Sequence, residues 1–264
     1  MIKSKIKIRS KYVPNGIKIL YEDRDIIVID KSSGLLSVKA RYETEKTAHQ
    51  LLINYIRKGN PRARGTLYAV HRLDRETSGV LIFAKSYDLR EKLASQWQDV
   101  EKKYLTIIHG QLERKSGVIE SYLAEGEDYV MHSVENPEDG KLAKTEYKVI
   151  SESRNYSLLE INLLTGKKNQ IRVHLSEKGH PILGDIKYSE DPKGRLALHA
   201  FSIKFKHPFS DEAMEFEAKI PEYFSSFFKI EGAEQDMPRN TKPYRGPKKT
   251  IKKGKKKKGP AKKR

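Results

Sequence analysis

The sequence has no cysteine, so it has neither disulfides nor thiolate metal sites, and it fits a reducing compartment. No apolar run approaches the roughly 18 residues that a membrane-crossing helix needs. The first ten residues, Met-Ile-Lys-Ser-Lys-Ile-Lys-Ile-Arg-Ser, lack the apolar core of a secretion signal. No Gly-rich phosphate loop or dinucleotide fingerprint occurs, which argues against a bound nucleotide cofactor. Tryptophan occurs once. Acid is missing from residues 242–264, which hold 11 Lys and 2 Arg and so supply 13 of the formal +18 net charges. These features read as a cytoplasmic protein with no membrane partner. The basic tail either attracts a polyanion, nucleic acid being the commonest, or serves solubility or localisation.

What is present is a body of ordinary composition with one densely charged stretch. His71, Arg72, Asp74, Arg75 and Glu76 fall within six positions, and Val80 to Ala84 that follow are entirely apolar. The apolar run predicts a buried strand, and Thr77-Ser78-Gly79 before it predicts a turn. A carboxylate set among cations on a loop fixed to a core strand is either a salt-bridged turn or a catalytic group. A protein-kinase catalytic loop is excluded, because Leu73 separates Arg72 from Asp74 and no Asn follows at the required distance.

Along the chain, Ile17–Tyr21 and Ile26–Ile29 read as short strands around the acidic turn Glu22 to Asp25. Ala48, Leu51, Leu52, Tyr55 and Ile56 recur at helical spacing between Thr47 and Arg57. Arg57, Lys58, Arg62 and Arg64 form a basic cluster that either meets phosphate or is solvated. Ser86 is a good helix N-cap, with Leu89, Leu93 and Trp97 on one face, and the lone Trp is expected in the core rather than as a stacking surface. Residues 101–110, 117–125, 143–150, 157–163, 196–205 and 214–218 read as strands, and 221–230 as a short closing helix. Strands in meander order argue for an α+β fold over a doubly wound parallel sheet. His174, His180 and His199 have no metal-ligand spacing, so no metal is expected. From about Glu231 the pattern fades, and the Lys/Gly/Pro-rich end is expected to be disordered. The expected division is an N-terminal extension over 1–16, one domain over 17–232 and a basic tail over 233–264.

Three stretches together resemble the RluA-type pseudouridine synthase family. The first is His-Arg-Leu-Asp-Arg-Glu-Thr-Ser-Gly at 71–79. The second is Lys102, Tyr104 and Gly110 in a Lys-x-Tyr-x-x-x-x-x-Gly frame. The third is Gln170-Ile171-Arg172 with Gly179-His180-Pro181-Ile182-Leu183-Gly184-Asp185. Asp30-Lys31-Ser32-Ser33-Gly34 is similar to a further motif, with Ser32 where proline is usual. Lys167 and Asn169 stand where the family usually has Arg and His.

The resemblance implies an isomerase of uridine in RNA. Its fold would be a bent, mostly antiparallel mixed sheet flanked by helices, with a central basic cleft. It implies Asp74 as nucleophile, Tyr104 stacked on the target base, and Arg172 paired with Asp74 through a bidentate contact. RNA contacts are implied for Arg72, as a wedge in the vacated helix, and for Arg75, Lys102, Lys167, Lys168, Asn169 and Gln170. No cofactor is required, because the isomerisation is redox-neutral. A monomer acting on rRNA, with large-subunit rRNA favoured over tRNA, is expected. The alternatives are an inactive RNA-binding or ribosome-assembly protein on the same scaffold, and a glycosidase using Asp74 and Glu76.

Overall fold

The computed structural model describes residues 12–40, 43–190, 192–230 and 233. The expected extension over 1–16 falls mostly outside them. The domain end at 232 and all of the basic tail except residue 233 also lie outside the described residues.

Among the described residues eleven strands form one sheet. In chain order they are β1 (Ile17–Glu22), β2 (Ile26–Lys31), β3 (Tyr68–Ala69), β4 (Ser78–Ala84), β5 (Glu101–His109) and β6 (Ser116–Glu125). Then follow β7 (Met131–Val134), β8 (Lys141–Glu152), β9 (Tyr156–Leu163), β10 (Leu198–Lys206) and β11 (Ala213–Glu217). The helices are α1 (Ala48–Ile56), α2 (Tyr87–Ser95), α3 (Gln170–Glu177) and α4 (Glu222–Ser225). The spatial order is β1-β2-β4-β10-β5-β9-β8-β6-β7, with β3 added to β4 and β11 to β10. Every pairing is antiparallel except β4 with β10. The architecture is thus the expected α+β class.

The apolar runs explain the centre. All of β2 and β4 is buried, so both faces need cover. One face, through Ile27, Ile29, Leu81 and Phe83, packs on Leu52 and Ile53 of α1. The other, through Ile26, Val28, Val80 and Ile82, packs on Leu89 and Leu93 of α2. Thr47 and Ser86 cap these helices by accepting from the Gln50 and Leu89 amides.

Three sequence expectations change. Ser78 and Gly79 are not a turn but the start of β4. Gly79 (φ +114°) meets β10 so closely that a Cβ there would lie 2.2 Å from the Ala200 carbonyl oxygen. Glycine here serves a close backbone approach rather than a reversal. Helix α2 ends before Trp97, which sits past the C-cap Gln96. The closing helix is one turn, Glu222–Ser225, because Phe224 and Phe228 seat in the core and hold the segment there.

Candidate active site

Asp74 lies in the loop between β3 and β4, and the segment after β2 holds that loop from behind. Ser33 Oγ donates to the Glu76 carbonyl at 2.8 Å, and Ser37 Oγ donates to Leu73 O at 2.8 Å. The Gly34 amide donates to Arg75 O at 2.8 Å. Lys31, with 0 % exposure, places its ammonium on the carbonyls of Ser32, Leu35 and Arg75 at 2.9, 2.8 and 3.2 Å. Burial pulls its pKa down to about 7 against the pull of Glu76 and Asp74. Polar groups of one loop are thus spent on the backbone of the other, which fixes where Asp74 emerges.

Sheet register supplies the second residue. Gly79 pairs with Ala200 on β10, and Ala200 pairs with Tyr104 on β5. Three adjacent strands therefore bring Tyr104 beside the start of β4, close to the Asp74 loop. Burial and the Asp74 charge raise the Tyr104 pKa well above the usual phenol value, so its proton stays on at neutral pH.

Helix α3 supplies the third. Asn169 caps it in the left-handed region (φ 52°, ψ 18°). Arg172 in its first turn reaches Asp74 Oδ2 through Nη1 at 3.1 Å. The bidentate contact is not with Asp74, however. Arg172 donates through Nε and Nη2 to Asp185, at 2.8 and 2.7 Å, and Asp185 also accepts from the Lys187 and Tyr188 amides. Burial alone lowers the Arg172 pKa, but its hydrogen bond and charge contact with Asp185, helped by Asp74, outweigh that and leave it raised. The buried carboxylate wins the fork because it is 0 % exposed, whereas the Asp74 side chain keeps 31 % of its surface in water.

Asp74, Tyr104, Asn169 and Arg172 line a cavity of about 260 Å³. Asp74 is its only carboxylate among the described residues, and Glu76 does not reach it. Trp97 forms part of the wall. One side of it packs on the core as expected, while its ring lies 4.7 Å from that of His71. Burial, then the Lys102 charge, lowers the His71 pKa to about 3, and its Nε2 accepts from the Ile82 amide at 3.2 Å.

The residues assigned to RNA contacts separate into groups. Arg72 is exposed and Lys167 partly exposed at the cavity. Lys168 pairs with Glu125 on an exposed surface. Arg75 Nε donates to Gly34 O at 3.2 Å. Lys102 is 7 % exposed and places its ammonium on Trp97 O at 3.1 Å. Gln170 is 2 % exposed; it accepts from Thr165 Oγ1 and the Lys167 amide and donates to Lys144 O and Thr145 Oγ1. Its side chain thus builds the turn into α3. Asn169 donates its amide to Asp74 Oδ2 at 2.6 Å.

Sequence reading did not assign a role to Asp185, Lys187 or Tyr188, although the third motif runs up to Asp185. The Arg172 guanidinium lies 5.3 Å from the Tyr188 ring centre. The three histidines of doubtful spacing serve separate bonds: His174 to Thr145 and Ser121, His180 to the His109 carbonyl, and His199 to Ser78. Among the described residues no helix is long and apolar enough to cross a membrane.

A family model described as RNA pseudouridylate synthase matches residues 25–177, more than half of the chain. The chain belongs to that family. Its RluA-type members are isomerases. An uncharacterised RNA pseudouridine synthase of Bacillus subtilis, YjbO, is 32 % identical over 223 residues, covering 83 % of this chain and 77 % of that protein. The ribosomal large subunit pseudouridine synthase D of Nitrosomonas europaea is 34 % identical over 221 residues, covering 78 % of this chain and 62 % of that protein. The solved structure of human RNA pseudouridylate synthase domain containing 4 superposes with a TM-score of 0.65 at 26 % identity, covering 78 % of this chain and 89 % of that one.

Proposed function

We propose that this pseudouridine synthase isomerises a uridine in structured RNA, large-subunit rRNA rather than tRNA, with Asp74 as nucleophile. The observation that carries the reading is Asp74 as the single carboxylate of a cavity it shares with Tyr104 and Arg172. At about 260 Å³ the cavity falls just under the roughly 300–1,000 Å³ usual for drug-sized ligands, which suits one nucleoside and not a stretch of polymer. The target nucleotide therefore leaves its stack, at a cost of about a few kcal/mol. The exposure of Arg72 at the cavity supports its role as the side chain that fills the gap.

Within the cavity Tyr104, whose phenol keeps its proton, packs against the uracil and offers a donor. The Asp74 carboxylate splits one hard exchange of bonds into two easier ones. The N1–C1′ bond breaks, the base turns and C5 joins C1′. C5 loses its hydrogen to solvent and N1 gains one. A glycosidase would need a second carboxylate about 5 to 10 Å away across the sugar, and the cavity offers none among the described residues. The substrate choice rests on the N. europaea relative's name and on the basic tail, residues 233–264, which follows the proposed catalytic domain of 17–232 and adds phosphate affinity without sequence choice.

The test is tritium release from [5-³H]uridine-labelled rRNA and tRNA transcripts. The expected result is release from large-subunit rRNA by the wild type and none by Asp74→Ala, which still binds the RNA. Undiminished release by Asp74→Ala removes the nucleophile. Carbodiimide mapping of RNA from a deletion strain then locates the uridine.

A further inference from the structure

Among the described residues, the Asp74 carboxylate is held on one side only. Oδ2 accepts both of its hydrogen bonds, from Asn169 Nδ2 at 2.6 Å and from Arg172 Nη1 at 3.1 Å. Oδ1 receives neither, on a side chain that lines the cavity and keeps 31 % exposure. Arg172 cannot fix the carboxylate alone. Its Nε and Nη2 face Asp185, so it meets Asp74 through Nη1 with one hydrogen bond, and one hydrogen bond leaves the carboxylate free to swivel. The second donor removes that freedom.

The Asn169 amide has its own orientation set from behind. Its Oδ1 accepts from Lys187 Nζ at 3.3 Å and from the Tyr188 hydroxyl at 3.5 Å. A flipped amide would turn Nδ2 toward those two donors and press a carbonyl oxygen against the carboxylate. The backbone at Asn169 lies in the left-handed region, which Asn and His tolerate better than most residues. The usual His of this position and the Asn found here thus share a backbone requirement as well as a side-chain N–H donor.

We propose that Asn169 is a positioning residue: with Arg172 it pins Asp74 Oδ2, so that Oδ1 is the oxygen that bonds to the ribose. This rests on the isomerase reading above. In the step, Oδ1 bonds to C1′ as the N1–C1′ bond breaks and its electron pair leaves with the uracil. The rotated uracil then gives a C5 electron pair to C1′ as the C1′–Oδ1 bond breaks. C5 loses its proton, and N1 takes one up from solvent. Asn169, first counted among the RNA contacts, instead spends its donor on the nucleophile.

Three variants of the full chain test this with the RNA that the wild type modifies. Asn169→Ala is expected to lower single-turnover kcat about 100-fold, the scale of a 1 Å misplacement of a reacting group, with RNA affinity unchanged. Asn169→His is expected to recover most of that loss, and Asn169→Asp, which sets like charge against Asp74, to fall furthest. Wild-type kcat in Asn169→Ala, or a loss confined to affinity, overturns the proposal, as does a His variant no better than Ala. The contact itself is read without RNA: the Asn169 side-chain amide resonances should be slow to exchange and should move in Asp74→Ala. Unmoved resonances overturn the proposal even if turnover falls. Moved resonances in a protein that releases no tritium from any RNA would sink the isomerase reading, and the catalytic role with it, while the bond stands.

Discussion

Asp185→Asn is the sharpest single perturbation of this site. The substitution keeps shape and removes one charge from a carboxylate that is 0 % exposed and accepts from Arg172 Nε at 2.8 Å, Arg172 Nη2 at 2.7 Å, the Lys187 amide at 2.9 Å and the Tyr188 amide at 3.1 Å. Removing one partner of a buried pair costs about 3–5 kcal/mol, because the other charge is left uncompensated. Here Arg172 keeps Asp74 at 3.1 Å, and Asp74 is partly in water, so the lower end applies, about 3 kcal/mol. For a folded region of this size each kcal/mol moves the melting midpoint by about 2–4 °C, which gives a fall of roughly 6–12 °C by calorimetry. Activity falls too, since the released guanidinium is free to take Asp74 by both oxygens and cover Oδ1. Asp74→Asn should lower the midpoint far less, because its side chain is more exposed and Asp185 still neutralises Arg172. A midpoint for Asp185→Asn within about 1 °C of the wild type would refute the claim that Asp185 carries the Arg172 charge.

Two further predictions concern the scaffold. Gly79→Ala drives a Cβ to 2.2 Å from the Ala200 oxygen at a backbone angle of +114°, where neither strand can yield. The expected loss is about 3 kcal/mol or more, read as reduced soluble yield and an earlier melt. An ordinary melt would show that β4 and β10 separate easily. His199 is buried, and burial together with the Arg195 charge lowers its pKa from 6.5 to about 3. Between those values the unfolded chain binds a proton that the folded one refuses, so stability falls as pH drops below 6.5, by about 1.4 kcal/mol per unit. His199→Gln should flatten urea-derived stability against pH by that slope between pH 6.5 and 5. An unchanged slope rules His199 out as one of the acid-sensitive groups, beside His71 and His174.

Local pattern was enough for much of the frame. The unbroken apolar run Val80–Ala84 marks a strand buried on both faces, and Leu89 with Leu93 marks the covered face of α2. Period and turn chemistry operate within a few residues, so they can be read without knowing the rest of the chain. The three motifs likewise named Asp74, Tyr104 and Arg172, which line one cavity. Trp97 and Gly79 show the limit. Helical spacing cannot say that α2 stops at Ser95, and a glycine signal cannot distinguish a turn from a close approach of two backbones.

Which polar group answers which was decided by distant pairings. The parallel contact of Ser78 with His199 and of Gly79 with Ala200 sets β4 beside β10, and the pairing of Ala200 with Tyr104 sets β10 beside β5. The placing of α3 against the β3–β4 loop turned Asn169 and Arg172 Nη1 toward Asp74, and the segment after α3 brought Asp185 to the rest of the guanidinium. Buried Gln170 likewise meets Lys144 O and Thr145 Oγ1 on β8. A side chain's type fixes how many hydrogen bonds it must make once buried, but only the packing of segments far apart along the chain decides who supplies them.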